Sequence, residues 1–224
     1  MAKGTISVDV VSDVACPWCY LGKRRLEHAV SLVRAEVDVA VRWRPYRLDS
    51  TIPPEGIDRA EYLIRKFGSL EAIGPAHAQL ETYGRAEGID YRFDLIARTA
   101  DTTDAHRLIR WAGAENKEDP VVERLFAAYF SEGRDIGDRS VLASVAADCG
   151  LDGAHVAERL ATDEDRDAVM AEIEEAYRIG VTGVPCFIVA RRYAVVGAHP
   201  AESIAAAIRK AAAEASPSIA ATVT

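Results

Sequence analysis

Residues 13–25 read Asp-Val-Ala-Cys-Pro-Trp-Cys-Tyr-Leu-Gly-Lys-Arg-Arg, so Cys16 and Cys19 are separated by only a proline and a tryptophan. Just upstream, Thr5 to Val11 alternates: Ile6, Val8 and Val10 share one face, Ser7 and Asp9 the other. That period of two predicts a strand. Downstream, Leu26, Ala29, Val30 and Val33 recur at helical spacing, and Val37, Val39, Val41 and Trp43 alternate again up to Pro45. Strand, helix, strand is a βαβ unit, with two thiols at its first strand-to-helix junction. Asp9 is out of character for a strand covered on both faces.

The junction suggests chemistry. With Cys16 as the N-cap, Pro17 falls at the first helical position, where a missing N–H is harmless. The Cys16 sulfur then faces unpaired amides and the positive end of the helix dipole. Both favour thiolate over thiol, which predicts an exposed attacking sulfur at Cys16. Cys19, one turn inside, suits the resolving role, because it can displace whatever Cys16 captures. Asp13 opposes thiolate formation unless it is turned out to water. Lys23, Arg24 and Arg25 read as a solvated helix face. A zinc site needs a second ligand pair; Cys149 and Cys186 are far apart in sequence, His28 has no suitable spacing, and no metal is expected.

From about Asp58 to Gly180 the chain shows helical punctuation and no convincing strand. Ala105, Leu108, Ile109 and Ala112 share a face of a helix starting at Thr102 or Thr103. Val121, Val122, Leu125, Phe126 and Tyr129 form a second stripe. Asp138 caps a helix through Val141, Leu142, Val145 and Ala146, which Gly150 stops. Asp163, Glu164 and Asp165 after Thr162 read as a helix's first turn. Strand signals return at Cys186–Ala190 and Tyr193–Gly197, flanking Arg191-Arg192 as a hairpin that lacks the usual glycine or asparagine. Pro200 opens a last helix through Ile204, Ala207 and Ile208.

The expected architecture is therefore α/β: residues 1–57 an N-terminal βαβ half, 58–180 a helical insertion, 181–215 a ββα half and 216–224 a flexible tail. The sequence has 27 Lys and Arg against 35 Asp and Glu, a net charge of -8, which argues against nucleic acid as a partner. No apolar stretch suits a membrane span, and Ser7 and Asp9 interrupt any secretory apolar region, so a cytoplasmic setting is expected. Four cysteines are too few for a disulfide scaffold, which leaves catalysis for the close pair.

These motifs resemble the DsbA-like oxidoreductases of the thioredoxin superfamily, in particular their cytoplasmic FrnE-type branch. The resemblance rests on Ser12 to Arg25, Trp43-Arg-Pro-Tyr46, Thr102-Thr-Asp-Ala-His-Arg-Leu108, Gly180-Val-Thr-Gly-Val-Pro185 and Tyr193 to Pro200. It runs over essentially the whole chain before the tail. It implies a thioredoxin fold carrying an all-helical insertion between its two halves. It also implies that Val184-Pro185 is a cis-proline loop opposite the cysteines, with the Val184 backbone free to pair with a substrate peptide or with glutathione.

The activity implied is thiol-disulfide exchange at Cys16 and Cys19 with protein or low-molecular-weight thiols, without a cofactor beyond glutathione as a possible co-substrate. The superfamily also holds glutathione-dependent 2-hydroxychromene-2-carboxylate isomerases and kappa-class transferases, which generally carry serine where this chain has Cys16. A chaperone-like binding module is a third reading. Pro17 and Trp18 belong to the motif, and Trp18 is expected to wall the cleft; Trp43 and Trp111 read as core. His106 borders the cleft in the family pattern and is more readily structural than a general base. Cys186, directly after the proline, departs from the branch; with Cys149 it forms either an accessory couple or two inert thiols. Monomer and homodimer stay open.

Overall fold

The computed structural model describes residues 3–215; the expected tail at 216–224 lies outside the described residues. The first unit is β1 (Thr5–Ser12), α1 (Pro17–Val33) and β2 (Asp38–Pro45). β1 and β2 pair in parallel, with Val8 opposite Val41 and Val10 opposite Trp43. The chain closes with β5 (Cys186–Val189), β6 (Tyr193–Val196) and α9 (Ala201–Ala215). β5 runs antiparallel to β1, and β6 antiparallel to β5, giving one sheet in the order β2-β1-β5-β6. The sheet thus takes strands from both ends of the chain.

The alternation in β1 divides the molecule. Ile6, Val8 and Val10 are buried in the main core with Leu21, Leu26 and Ala29 of α1 and with Ile204 and Ile208 of α9. On the opposite face Val11 joins Tyr46, Ala176, Val181 and Cys186 in a second cluster. Asp9 lies on that second face, where its carboxylate accepts from Arg44 Nε at 2.9 Å. Arg44 in turn reaches Glu172, so the acid is neutralised by a cross-strand partner.

Between the two sheet halves lie α2 (Arg59–Phe67), α3 (Leu70–Ala86), α4 (Thr103–Ala114), α5 (Glu118–Phe130), α6 (Arg139–Asp148), α7 (Gly153–Leu160) and α8 (Arg166–Arg178). The segment is helical except for a two-residue ladder of β3 (Ile57–Asp58) with β4 (Arg98–Thr99). A ladder this short carries no alternation, and for that reason it leaves no sequence signal. Asp138 caps α6 by accepting from Ser140 N–H, and Gly150 follows its end at φ 77°.

Two expectations fail here for local reasons. The acids after Thr162 do not open a helix; α8 begins at Arg166. The carbonyls of Arg159, Thr162 and Glu164 instead turn inward onto the guanidinium of Arg107, at 3.0, 2.8 and 2.6 Å. Arg107 is completely buried, so satisfying its donors takes precedence over continuing a helix. The hairpin turn is centred on Ala190 and Arg191, at φ 51° and 56°, rather than on Arg191-Arg192. Both residues accept left-handed backbone because the strand twist demands it.

Candidate active site

Cys16 is the N-cap of α1, in extended backbone, and Pro17 begins the helix. The turn that puts it there is closed by Cys16 N–H donating to Asp13 O at 2.9 Å. The Cys16 side chain makes no capping hydrogen bond to the first-turn amides. Its contact is across the molecule: the thiol points at the Val184 carbonyl oxygen at 3.8 Å. The Val184–Pro185 peptide is cis, and the Pro185 carbonyl accepts from Gly197 N–H at 2.7 Å. The two motifs, far apart in sequence, therefore face each other over one sulfur.

The expected exposure of Cys16 is not found. It is 3% exposed, with the cis-proline loop above it and α1 beneath. Trp18 is half-buried and tilted against Tyr83 of α3, ring centres 6.4 Å apart. Tyr91 closes the inner side, donating to the Pro17 carbonyl at 2.6 Å.

Cys19 is fully buried, and burial pushes its thiol well above its ordinary range, with the neighbouring Cys16 adding to the rise. Cys16 and Cys19 are both free thiols. The surrounding carboxylate and imidazole are committed elsewhere. Asp13 is buried, not turned out to water, and accepts from Ala15 N–H at 3.1 Å and Leu48 N–H at 2.8 Å. His106 is buried too, with Nε2 donating to the Tyr46 carbonyl at 3.0 Å. Burial lowers the His106 pKa below its ordinary value. It holds the loop after β2; no contact brings it to either sulfur.

The basic run is not a solvated face. Lys23 is 1% exposed and ion-paired with Glu27, Asp119 and Glu123, which locks α1 to α5. Arg25 donates to the Ala198 carbonyl, tying the same helix to the segment after β6. Cys186 packs in the second cluster and Cys149 caps α6 with its sulfur on Pro120 O at 3.5 Å; the structure does not bring them together. Burial raises both thiols. Trp43 and Trp111 are buried. Among the described residues, no group of three or more His, Cys, Asp or Glu is placed to hold a metal ion. Among the same residues, no helix is long and apolar enough to cross a membrane.

One residue was overlooked in the sequence. Gly22 faces Pro185, and its signal was a glycine inside an otherwise good helix, where it costs roughly 1 kcal/mol relative to alanine.

The DSBA-like thioredoxin domain family matches residues 7–209. The chain belongs to that family. It is 32% identical to the solved structure of a probable DsbA oxidoreductase from Streptomyces coelicolor, covering 95% of this chain and 92% of that one, with a TM-score of 0.87. The uncharacterized protein YwbO of Bacillus subtilis is 29% identical over 186 residues, covering 83% of this chain and 87% of its own length. The cytosolic disulfide reductase DsbM of Pseudomonas aeruginosa, solved with GSH, shares the fold at 20% identity and a TM-score of 0.62, over 93% of this chain and 96% of that one. The fold is thus that of a DsbA-like thioredoxin domain.

Proposed function

We propose that this protein is a thiol-disulfide oxidoreductase that cycles Cys16 and Cys19 between dithiol and disulfide. In the reducing direction the Cys16 thiolate attacks a substrate disulfide, forms a mixed disulfide and releases one substrate thiol. Cys19 then attacks the Cys16 sulfur, the Cys16–Cys19 disulfide forms and the second substrate thiol leaves with the proton. Two electrons pass from the protein to the substrate. The oxidising direction is the reverse.

The observation that carries this reading is the position of Cys16 Sγ. It sits at a helix N-terminus, 3.8 Å from the backbone of the residue before a cis-proline, with a second thiol one turn behind. Among the described residues the Val184 N–H makes no hydrogen bond, which suits an extended substrate laid alongside it as a short added strand. Substrates of this reading are protein disulfides and low-molecular-weight thiols, glutathione among them, in the cytoplasm. The cytosolic reductase solved with GSH supports that setting by fold alone.

The test is insulin reduction. Wild-type protein should reduce insulin, Cys16→Ser should abolish the activity, and Cys19→Ala should accumulate mixed disulfides visible by mass spectrometry. If Cys16→Ser instead leaves a glutathione-dependent isomerase activity intact and wild type does not reduce insulin, the reading fails in favour of an isomerase.

A further inference from the structure

The resolving step requires a thiolate at a place that opposes one. Cys19 is buried and its environment raises its titration. The potential helpers are all occupied. The Asp13 carboxyl accepts from two backbone amides, Tyr91 gives its hydroxyl to the Pro17 carbonyl, and His106 gives Nε2–H to the Tyr46 carbonyl. Burial also keeps Tyr91 protonated.

Ser12 is the exception. It ends β1 at the same parity as Ile6, Val8 and Val10, so its side chain points to the face on which α1 packs. Its backbone is fixed by the β1–β2 ladder and by Tyr46 N–H donating to its carbonyl at 3.0 Å. The residue is 3% exposed, yet its Oγ has no hydrogen-bond partner. A buried hydroxyl left unpaired is costly and uncommon. α1 lays the buried Cys19 against this same face of β1, in one cluster with Val8, Val10 and Val14, and Ser12 acts on the Cys19 sulfur in the direction of favouring thiolate, as does the Asp13 backbone N–H. On its other side Ser12 borders a cleft of about 590 Å³ that Trp43, His106, Ile109, Glu118 and Val122 also line.

We propose that Ser12 is a catalytic residue of the resolving step, its hydroxyl donating a hydrogen bond to Cys19 Sγ as that sulfur becomes anionic. The inference rests on the oxidoreductase reading. In the ground state the hydroxyl has no good acceptor, since a thiol is a weak one. When Cys19 loses its proton, the sulfur becomes a charged acceptor and the bond forms. An interaction made only on the way to the transition state accelerates the step without stabilising the resting enzyme. The bonds balance: the Cys16–S–S–R bond breaks, Cys16–S–S–Cys19 forms, and the proton from Cys19 ends on the departing R–S⁻, with the cleft beside Ser12 giving it access to solvent.

The experiment separates the two steps. Single-turnover reaction with a small disulfide, followed by acid quench and mass spectrometry, reports formation and decay of the mixed disulfide independently. Ser12→Ala should leave formation at the wild-type rate and slow decay roughly 10- to 100-fold, the worth of one hydrogen bond to a charged partner. Ser12→Thr, which keeps the hydroxyl, should recover most of the loss. Wild-type decay in Ser12→Ala, or equal slowing in both variants, would overturn the proposal. Ser12→Ala removes an orphaned polar atom, so it should unfold no more readily than wild type. A second readout is independent of turnover: in a Cys16→Ser background, the thiolate absorbance of Cys19 near 240 nm should rise at distinctly higher pH once Ser12 is alanine. An unchanged titration refutes the hydrogen bond. Absence of any mixed disulfide in wild type would sink the oxidoreductase reading itself, a result distinct from normal decay in Ser12→Ala.

Discussion

A Cβ placed on Gly22 would lie 2.6 Å from Cγ of Pro185 and 3.2 Å from the ring of Phe187. The helix bearing the cysteines and the loop bearing the cis-proline therefore meet with no room for a methyl group. The contact fixes how far the Val184 carbonyl stands from Cys16.

Gly22→Ala should destabilise the protein by about 1–3 kcal/mol, as overpacked sites do, and slow thiol-disulfide exchange by displacing the loop. A glycine in the last turn of α4, in open surroundings, gives the control. Gly113, whose nearest neighbour is Glu118 at 3.9 Å, should instead gain roughly 0.5–1 kcal/mol on substitution by alanine, with exchange unaffected. Urea unfolding and the insulin assay check both; a Gly22→Ala variant as stable and active as Gly113→Ala would show that the close approach is unimportant.

Stability should depend on pH through His106. Burial holds its folded-state pKa below the ordinary value of 6.5. As pH falls through that ordinary value, the unfolded chain takes up a proton that the folded protein does not. The unfolded state then binds more protons, so stability falls with falling pH, by up to about 1.4 kcal/mol per pH unit. His106→Gln keeps a donor for the Tyr46 carbonyl and removes the titration. Unfolding free energies at about pH 7.5 and about pH 5 should therefore diverge between wild type and variant on the acid side. Parallel curves would mean that His106 is not buried as a neutral ring.

Arg107 should be the costliest single polar residue to remove. Its fully buried guanidinium binds three carbonyls and, at 2.8 Å, the partly buried Asp104 carboxylate. Arg107→Met should cost about 3–5 kcal/mol, since it leaves the Thr162 and Glu164 carbonyls without their donor and takes from Asp104 one of its cations, with only Arg139 and Arg166 still on that carboxylate. Arg107→Lys should restore only part, because an ammonium cannot match the planar fork. Amide exchange should speed up first at residues 162–165. A mild loss in Arg107→Met, with exchange at 162–165 unchanged, would contradict this account.

The sequence was most informative where physics is local. The alternation of Ile6, Val8 and Val10 placed β1 and its inner face, and Cys-Pro at the start of an apolar 3.6-residue pattern placed the N-cap of α1, because both depend on neighbours within a turn or two. The resemblance added the loop at Val184-Pro185, which spacing alone could not connect to Cys16. Other features came only from chain segments distant in sequence. Lys23 looks like a surface lysine until α5 brings Asp119 and Glu123 to it. Cys16 looks like an exposed cap until the loop at residues 184–185 closes over its sulfur. The acids at 163–165 read as a helix start until Arg107 claims the carbonyls around them. Ser12 showed no signal at all, since a lone serine ending a strand becomes notable only when its hydroxyl is found buried, unpartnered and beside a thiol. Periodicity and capping are encoded within a few residues, whereas burial is a property of the assembled surfaces. The chain alone thus determined that two cysteines stand at the start of the first helix, and the packing of its two halves around the sheet decided how they are shielded and what they face.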